Sequence, residues 1–350
     1  MCMAVLLGFH PDFEDHEPGP DHPESPHRLT AVRRGIEAAH LGEAVIEFAP
    51  RYATHAEIGR VHNPGYAEAL EEKCLQGGGY LDPDTEVSPG SFAAARRAAG
   101  AGLEAIERLD RNEAAAAFLA VRPPGHHAYD AHSMGFCLFN NLAITASELI
   151  SRGDRVLIVD WDAHHGNGTQ NCFYTEPNVL FISLHQYPFY PGTGSLDEVG
   201  EAEGRGCTIN VPLPAGTAGD AYRLAFDELV VPAAEAFSPS WLLVSAGFDA
   251  HRSDPLCDLG LSSGDFADLA RSVSLLVAPG RRIFFLEGGY NLSALAASAG
   301  ATVAALVGED FRPEPATTGA KANAFGSSRS DRPAQIIAEA RAIHERSRSL

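Results

Sequence analysis

The sequence predicts an α/β fold: a single three-layer domain in which helices cover both faces of a mostly parallel central sheet. The first observation is a series of short runs that are apolar at consecutive positions, as in strands buried on both faces. The second is that longer segments with helical periodicity separate many of these runs, which favours parallel strands joined by crossover helices. The third is that the 350 residues contain no internal repeat and no convincing linker, which favours one domain.

The predicted elements follow from these two kinds of segment. The apolar start of the chain, up to Gly8, is typical of a first strand rather than a signal peptide, because it has no positively charged n-region. The predicted central strands cover residues 115–121, 156–160, 179–185, 209–213, 241–245 and 283–286. The predicted helices cover residues 29–41, 91–109, 140–152, 220–237, 264–277 and 292–307. Ser262, followed three residues later by Asp265, predicts a capping box.

Three segments do not follow this alternation. Residues 10–27 are rich in Pro, Asp and His, and residues 185–206 are rich in Pro, Gly and Tyr. Both are longer than ordinary connections, which favours functional loops, and the first is also a candidate subunit contact. The C-terminal segment 311–350 is expected to wrap the surface with its Pro-rich part, 311–332, and to end in a helix over 334–346.

Composition restricts the possible partners and the compartment. The formal charge of −20 argues against nucleic acid and anionic lipid, because an acidic surface repels both. The charge is compatible with a cationic ligand, although solubility is the simpler explanation. No run reaches about 18 apolar residues, so we expect no membrane span. The six cysteines lie far apart without C-x-x-C spacing, which favours a reducing compartment, and we expect a cytoplasmic protein.

The strongest functional signal follows the predicted strand 156–160. Asp160, Asp162 and His164 alternate along the chain, so in extended geometry their side chains share one face. In open α/β sheets ligands bind at the carboxyl ends of strands, which is where these residues fall. Carboxylate and imidazole together are an ordinary ligand set for Zn²⁺ or a similar divalent ion. A solvated turn is the alternative, but ionisable side chains ending a buried strand are unfavourable without a partner.

A third ligand is available at the end of another predicted strand. Asp249 follows the run 241–245 and could complete the set Asp162, His164 and Asp249, with one position left open for water. Three protein ligands and an open position are typical of a catalytic rather than a structural zinc site. Taken alone, Asp249 would be more simply explained as a helix cap or turn residue, so its assignment depends on the first motif.

Two more strand ends offer groups for acid–base and oxyanion chemistry. The motif R-P-P-G-H-H ends in His126 and His127, and two adjacent imidazoles can act as general base and general acid. Such histidines need orienting acceptors when buried, and Asp160 and Asn167 are available. The phenol of Tyr290 could donate to a developing oxyanion. Without the first motif, surface histidines and a packed tyrosine would be the simpler interpretations.

Together these motifs resemble those of the histone deacetylase-like amidohydrolases, in the class II branch. The resemblance extends from about His10 to Gly308 with the motifs in the family's order. The five segments that carry it are R-P-P-G-H-H, D-W-D-A-H-H-G-N-G-T-Q, S-L-H, S-A-G-F-D-A-H and E-G-G-Y-N. The resemblance implies an arginase/deacetylase fold and hydrolysis of an acylated amine through a tetrahedral intermediate.

The resemblance implies a catalytic role for five residues. His126, backed by Asp160, and His127, backed by Asn167, match the family's tandem histidines, and Tyr290 matches its catalytic tyrosine. Class I relatives typically have aspartate where this chain has Asn167. Because asparagine carries no charge, we expect His127 to be less basic than it would be beside aspartate. Inactive-like members of this branch have histidine in place of the catalytic tyrosine, whereas this chain keeps Tyr290.

The resemblance also implies bound metal ions. The ligands of one catalytic Zn²⁺ ion would be Asp162, His164 and Asp249. A structural monovalent cation, usually K⁺, would bind beside the loop that carries the zinc ligands. Its site would comprise Asp160, Ser183 and Leu184 together with Asp162 and His164. A second such site, built largely from backbone carbonyls, would comprise Phe173, Glu176, Val179 and Cys207.

A substrate channel is implied by further matches to the family. The matching positions are Gly135, Phe136, Tyr190, Asp84, Leu256, Gly288 and Arg28. Phe136 and Tyr190 correspond to aromatic walls that grip an alkyl chain, although without the resemblance they are equally well explained as core or loop-anchoring residues. Asp84 corresponds to a rim carboxylate that accepts hydrogen bonds from substrate backbone N–H groups. Arg28 corresponds to the arginine that lines an inner acetate pocket.

The expected substrate is an acetylated lysine peptide or protein, or another small acetylated amine. Acetylpolyamine deacetylases share the motifs, but the polyamine-selective relative has glutamate where this chain has Leu256, which favours acyl-lysine. The charge of −20 favours polyamines weakly. A non-catalytic acyl-lysine binding protein would need a broken catalytic set, and none is broken. An arginase-like binuclear enzyme would need metal-binding carboxylates in place of His126 and His127. A homo-oligomer remains possible.

Overall fold

Eight parallel strands form the central sheet of the computed structural model, which describes residues 3–321 and 331–348. These strands are β1 (Val5–Gly8), β2 (Val45–Phe48), β5 (Ala116–Leu119), β6 (Val156–Asp160), β7 (Val179–Gln186), β8 (Thr208–Leu213), β9 (Trp241–Ala246) and β10 (Arg282–Leu286). Their order across the sheet is β2-β1-β5-β10-β9-β6-β7-β8. A separate antiparallel hairpin pairs β3 (Gly79–Asp82) with β4 (Thr85–Val87).

Helices lie on both faces of this sheet. They are α1 (His27–Ala38), α2 (His55–Ile58), α3 (Pro64–Leu75), α4 (Ser91–Asp110), α5 (Asn141–Ser151), α6 (Asn167–Phe173), α7 (Gly219–Ala225), α8 (Val231–Phe237), α9 (Ser263–Ser274), α10 (Leu292–Val307) and α11 (Arg332–Arg348). Helices α1, α10 and α9 pack side by side in one layer, and α4 packs on α5 in the other. The predicted three-layer α/β fold is therefore confirmed.

The central strands are buried on both faces, as their continuous apolar runs predicted. Every residue of β5, β6, β9 and β10 is buried. Each predicted strand and helix lies within a few residues of its expected position. The capping box of α9 is present, because the Asp265 carboxylate accepts the Ser262 N–H at 2.8 Å.

The structure adds elements that the periodicity did not indicate. Strand β2 was missed because it is a half-exposed edge strand of four residues, without a continuous apolar run. The β3–β4 hairpin, α2 and α3 were also missed. The helix predicted over 220–237 contains a π-helical turn at Phe226–Val230 between α7 and α8. Pro232 lacks an N–H and disfavours regular α-helical bonding to the preceding turn, which accounts for this irregularity.

The C-terminal segment follows the surface for as far as the structure describes it. Glu314 and Thr317 bind the first turn of α9, since Glu314 N–H donates to Ser263 Oγ and Thr317 N–H donates to Asp265. Helix α11, predicted over 334–346, packs against β8 at the edge of the sheet. Residues 1–2 of the predicted first strand, and 322–330 and 349–350 of the predicted tail, lie outside the described residues.

Within residues 3–321 and 331–348, no helix combines the length and the apolar character needed to cross a bilayer.

Candidate active site

Four neighbouring central strands end in the motifs that the sequence singled out. Strands β5, β10, β9 and β6 are adjacent in the sheet and all parallel, so their carboxyl ends lie at one edge. The motif R-P-P-G-H-H lies after β5, and E-G-G-Y-N lies after β10. The motif with Asp249 lies after β9, and the motif with Asp162 and His164 lies at the end of β6. Residues separated by more than 160 positions are therefore brought into one site, as expected for ligands of a parallel sheet.

The three candidate metal ligands converge at the centre of this edge. One ligand atom from each of Asp162, His164 and Asp249 lies within 4.8 Å of the other two. His164 Nδ1 is 3.1 Å from Asp162 Oδ1 and 3.0 Å from Asp249 Oδ2. Atoms at these separations can share one divalent ion, whose bonds to oxygen and nitrogen are about 2.0–2.2 Å long.

Burial and the close approach of two carboxylates shift the pKa values of these groups strongly. Burial and the neighbouring Asp162 raise the pKa of Asp249 to about 7, although His164 opposes them. Burial lowers the pKa of His164, but Asp162 and Asp249 outweigh burial and raise it to about 10. Asp160 and Glu287 add two more fully buried carboxylates nearby. This excess of negative charge in a water-poor site fits a bound cation.

The two adjacent histidines contact different acceptors. His126 Nδ1 lies 2.9 Å from Asp160 Oδ2, and His127 Nδ1 lies 2.6 Å from Asn167 Oδ1. Burial lowers the pKa of His126, but the carboxylates of Asp160 and Asp162 raise it to about 10. Burial and the neighbouring imidazoles hold the pKa of His127 well below its usual value. The pair therefore combines a readily protonated ring with one that stays neutral.

Tyr290 lies across the cavity from the histidines and remains protonated. Burial raises the pKa of its phenol well above the usual value, although Arg28 opposes this. The Arg28 guanidinium lies 5.2 Å from the centre of the Tyr290 ring and donates through Nε to the Gly289 carbonyl at 2.8 Å. The phenol of Tyr290 is therefore available as a hydrogen-bond donor.

A cavity of about 190 Å³ opens onto these groups. Its lining residues are Asp84, His127, Gly135, Phe136, His164, Tyr190, Leu256 and Tyr290. The Tyr190 ring stands perpendicular to the His127 ring at 5.4 Å, and Phe136 stands edge-on to Tyr290 at 5.7 Å. The structure therefore brings the predicted aromatic walls to the same cavity as the histidines and Tyr290.

Two glycines allow the close approach of these loops. Gly135 has φ +56°, and a Cβ on it would lie 2.4 Å from the His127 ring. A Cβ on Gly288 would lie 2.3 Å from Asp249 Oδ2, and the Gly288 N–H donates to Asp162 Oδ2 at 2.8 Å. Asp84 Oδ1 accepts the Gly135 N–H at 2.9 Å, which fixes the predicted rim carboxylate beside the cavity.

The chain is similar to known deacetylases over most of its length. A model of the histone deacetylase domain matches residues 22–306. A probable deacetylase of Archaeoglobus fulgidus is 38% identical over 328 residues, which cover 89% of this chain and 91% of that protein. Histone deacetylase 14, chloroplastic, of Arabidopsis thaliana is 38% identical over 311 residues, which cover 83% of this chain and 74% of that protein.

This chain belongs to the histone deacetylase family. The crystal structure of the HDA15 HD domain superposes on it with a TM-score of 0.89 at 35% identity, covering 100% of this chain and 96% of that chain. The predicted arginase/deacetylase fold is therefore confirmed. As a histone deacetylase family member, the protein is an enzyme that hydrolyses acetylated amides, and the family's general dependence on metal agrees with the possible metal site at Asp162, His164 and Asp249.

The residues predicted to bind monovalent cations lie in two places, the first at the end of β6 next to this site and the second at the amino ends of β7 and β8. Asp160 and Ser183 are register partners in adjacent strands β6 and β7, and Leu184 follows directly. The second set lies where α6 meets β7 and β8, and it comprises Phe173, Glu176, Val179 and Cys207. Glu176 N–H donates to the Phe173 carbonyl at 3.0 Å. Cation binding at both places stays a prediction.

Several charged residues of the histone deacetylase site were not predicted from the sequence. Glu287 is fully buried and accepts the N–H groups of Gly125 at 2.7 Å and His126 at 3.2 Å. Its position at the end of β10 matches that of Asp160 at the end of β6, so the same strand-end rule would have found it. Glu24 binds both Arg28 and Arg122, and no local pattern in the sequence indicates this pairing.

Proposed function

We propose that this histone deacetylase family member is a zinc-dependent hydrolase that removes acetyl groups from lysine side chains. The observation that carries the proposal is the convergence of Asp162, His164 and Asp249 beside a histidine pair and Tyr290 at one narrow cavity. Two carboxylates and one imidazole fit Zn²⁺ by donor type, and three protein ligands leave a position for substrate. Bound Zn²⁺ would supply a Lewis acid that polarises the acyl carbonyl and lowers the pKa of water.

The histidine pair supplies the proton transfers. The Asn167 carbonyl oxygen can only accept, so Nδ1 of neutral His127 carries the proton and Nε2 keeps a free lone pair. A neutral imidazole with a free Nε2 can remove a proton from the attacking water. His126, whose cationic form Asp160 favours, can hold a proton and help to return it to the leaving amine.

Tyr290 supplies an oxyanion donor in the same site. Its protonated phenol can donate to the oxygen that becomes negative in the tetrahedral intermediate, and such donors are most effective in buried sites. Arg28 contacts the face of the Tyr290 ring and donates to the carbonyls of Glu287 and Gly289, so it lies behind Tyr290 as seen from the cavity lining. We assign acetate binding to the space beside Arg28, as the resemblance implies.

The walls of the cavity support acyl-lysine as the substrate. Phe136 and Tyr190 provide an apolar slot for the alkyl chain, and Asp84 provides a carboxylate at its rim. Leu256 lines the same cavity and offers no charge to the second cation of a polyamine. Acetylpolyamines remain the second candidate because Asp84 could contact a cation instead of a peptide N–H group.

Two other assignments fit the geometry less well. A non-catalytic acyl-lysine binding protein would not need the His126–Asp160 and His127–Asn167 pairs, both of which are in place. A binuclear arginase-like site would need a second metal-binding cluster. Among the residues that the structure describes, Asp162, His164 and Asp249 are the one group of three or more potential ligands whose ligand atoms lie within 4.8 Å of one another. A cytoplasmic location and self-association stay predictions.

The test is a substrate screen with the purified protein, with and without a zinc chelator. Rates would be measured on acetyl-lysine and longer acyl-lysine peptides, acetylspermidine and acetylputrescine. We expect kcat/KM for an acetyl-lysine peptide to exceed that for acetylpolyamines by roughly tenfold or more, the difference made by about one favourable contact. Chelation should abolish activity, and added Zn²⁺ should restore it. A strong polyamine preference would favour the second candidate, and an inactive zinc-loaded protein would refute both.

A further inference from the structure

A buried carboxylate joins the loop that carries Tyr290 to the loop that carries Leu256. Asp254 is 6% exposed and belongs to the loop that follows β9, where it faces the loop that follows β10. Its Oδ2 accepts the Tyr290 N–H at 2.7 Å and the Asn291 N–H at 3.2 Å. Its Oδ1 accepts the Leu256 N–H at 3.0 Å. One side chain therefore contacts the backbones of two residues that line the cavity.

Only a carboxylate satisfies this arrangement of donors. All three partners of Asp254 are backbone N–H groups, and an ionised carboxylate offers several lone pairs and no hydrogen. An asparagine would place an NH₂ group against at least one N–H donor and leave that donor unsatisfied in a buried site, which is destabilising. The position therefore requires the charge as well as the shape of aspartate.

The other contacts of Tyr290 do not replace those of Asp254. Phe136 contacts only the ring of Tyr290, whereas Arg28 contacts the ring and also donates to the Gly289 carbonyl on the side of the backbone that precedes Tyr290. The Asn291 side chain adds one further link, since its Nδ2 donates to the Ser253 carbonyl at 3.0 Å. The two loops are also joined where Phe248 N–H donates to the Gly288 carbonyl at 3.0 Å, two residues before Tyr290. Beyond that point Asp254 holds the backbone N–H groups of Tyr290 and Asn291.

We propose that Asp254 is a positioning residue that sets the Tyr290 phenol over the reacting carbonyl and ties it to the Leu256 wall. The proposal rests on the proposed deacylase function, because it assigns Tyr290 to oxyanion stabilisation. Loss of the hydrogen bonds from Asp254 to the Tyr290 and Asn291 backbone lets the phenol move away from the oxyanion position. Small displacements of a catalytic group reduce turnover strongly. The metal ligands Asp162 and His164 follow β6, but the third, Asp249, shares the loop after β9 with Asp254, so the zinc content of each variant is measured alongside its activity.

The test combines kinetics with amide hydrogen exchange in the zinc-loaded protein. Asp254→Asn should lower kcat on an acetyl-lysine peptide by roughly 10- to 100-fold and raise the exchange rates of the Tyr290 and Asn291 amides by about tenfold or more. In the Tyr290→Phe background the same change should lower kcat by less than about threefold, because the group it positions is already gone. Asp254→Glu, which keeps the charge at a different reach, should retain more activity than Asp254→Asn.

Asp265→Asn is the matched structural control. Asp265 is also buried and accepts the N–H groups of Ser262 and Thr317, but at the start of α9, away from the cavity. Asp265→Asn should change hydrogen exchange at those amides and leave kcat within about twofold.

Unchanged exchange at the Tyr290 amide in Asp254→Asn, or an undiminished loss of kcat in the Tyr290→Phe background, would overturn the proposal. If Asp254→Asn does not fold, Asp254→Glu carries the same comparison. An inactive parent protein would refute the proposed function, and exchange would still decide whether Asp254 clamps the loop.

Discussion

Two buried ionic clusters lie side by side in this protein and balance their charges differently. The arginine cluster, Glu24 with Arg28 and Arg122, is fully buried, and Arg122 Nη2 lies 2.7 Å from Glu24 Oε2. The ligand cluster, Asp162 with His164 and Asp249, has two carboxylates beside a single imidazole. In the first, burial would raise the pKa of Glu24, but the two guanidinium groups hold it well below its usual value. In the second, burial and Asp162 raise the pKa of Asp249 to about 7.

The difference separates charges that the protein compensates itself from charges that need an added cation. The arginine cluster is closed by carbonyls, since Arg122 also donates to Phe13 O at 2.7 Å and His16 O at 3.0 Å. It therefore fixes the loop before α1 without any ligand. The ligand cluster retains repulsion between carboxylates, which a divalent ion removes. Burial of charge alone therefore does not identify a metal site, whereas an excess of buried carboxylates does.

The largest expected effect is on the ligand cluster. Asp249→Asn removes one ligand and one charge, so we expect loss of zinc and a fall in kcat/KM of roughly 1,000-fold or more, from the loss of several kcal/mol of electrostatic stabilisation. The fold should persist, since repulsion with Asp162 is relieved. Metal analysis measures the loss of zinc, circular dichroism the persistence of the fold, and steady-state kinetics the fall in kcat/KM. Chelation should lower the Tm of the parent protein but not of the variant. Full zinc content with normal activity would contradict the assignment.

The arginine cluster should respond through stability. Glu24→Gln leaves two buried guanidinium groups without their carboxylate, and breaking a buried ion pair typically costs about 3–5 kcal/mol. Urea unfolding measures this loss. Glu47→Gln is the control, because the Arg33–Glu47 pair is partly exposed and such pairs contribute about 1 kcal/mol or less. Equal effects of the two changes would show that burial does not distinguish these pairs.

Tyr290 lies between the clusters and should affect turnover alone. Its ring contacts Arg28 of the arginine cluster, and its phenol faces the cavity of the ligand cluster. Tyr290→Phe removes one oxyanion donor, and we expect a loss of roughly 100-fold or more in kcat with zinc content and Tm nearly unchanged. Steady-state kinetics with metal analysis provides the measurement. Unchanged kcat would remove Tyr290 from the mechanism.

The ligand cluster could be predicted from the sequence, and the arginine cluster could not. Asp162, His164 and Asp249 follow apolar runs, so the rule that parallel strands end at one edge brings them together from pattern alone. Glu24 and Arg122 are separated by 98 positions, and one of them lies in an irregular loop without periodicity. Their pairing depends on tertiary packing. The same distinction holds for the fold, in which the buried strands were predicted and the half-exposed edge strand β2 was missed.

His62 extends the comparison of the two clusters to a buried group that stays neutral instead of forming an ion pair. Its Nε2 accepts the Asn140 N–H at 2.8 Å, and burial lowers its pKa to about 4. Because this value lies below the usual 6.5, the unfolded chain binds the proton first as pH falls. The stability contributed by neutral His62 is therefore complete above pH 6.5 and declines towards pH 4, by about 2 kcal/mol between pH 6.5 and 5. Urea unfolding of the parent protein and of His62→Gln across this range should show a shallower decline in the variant. Identical pH profiles would show that His62 does not titrate as a buried neutral group.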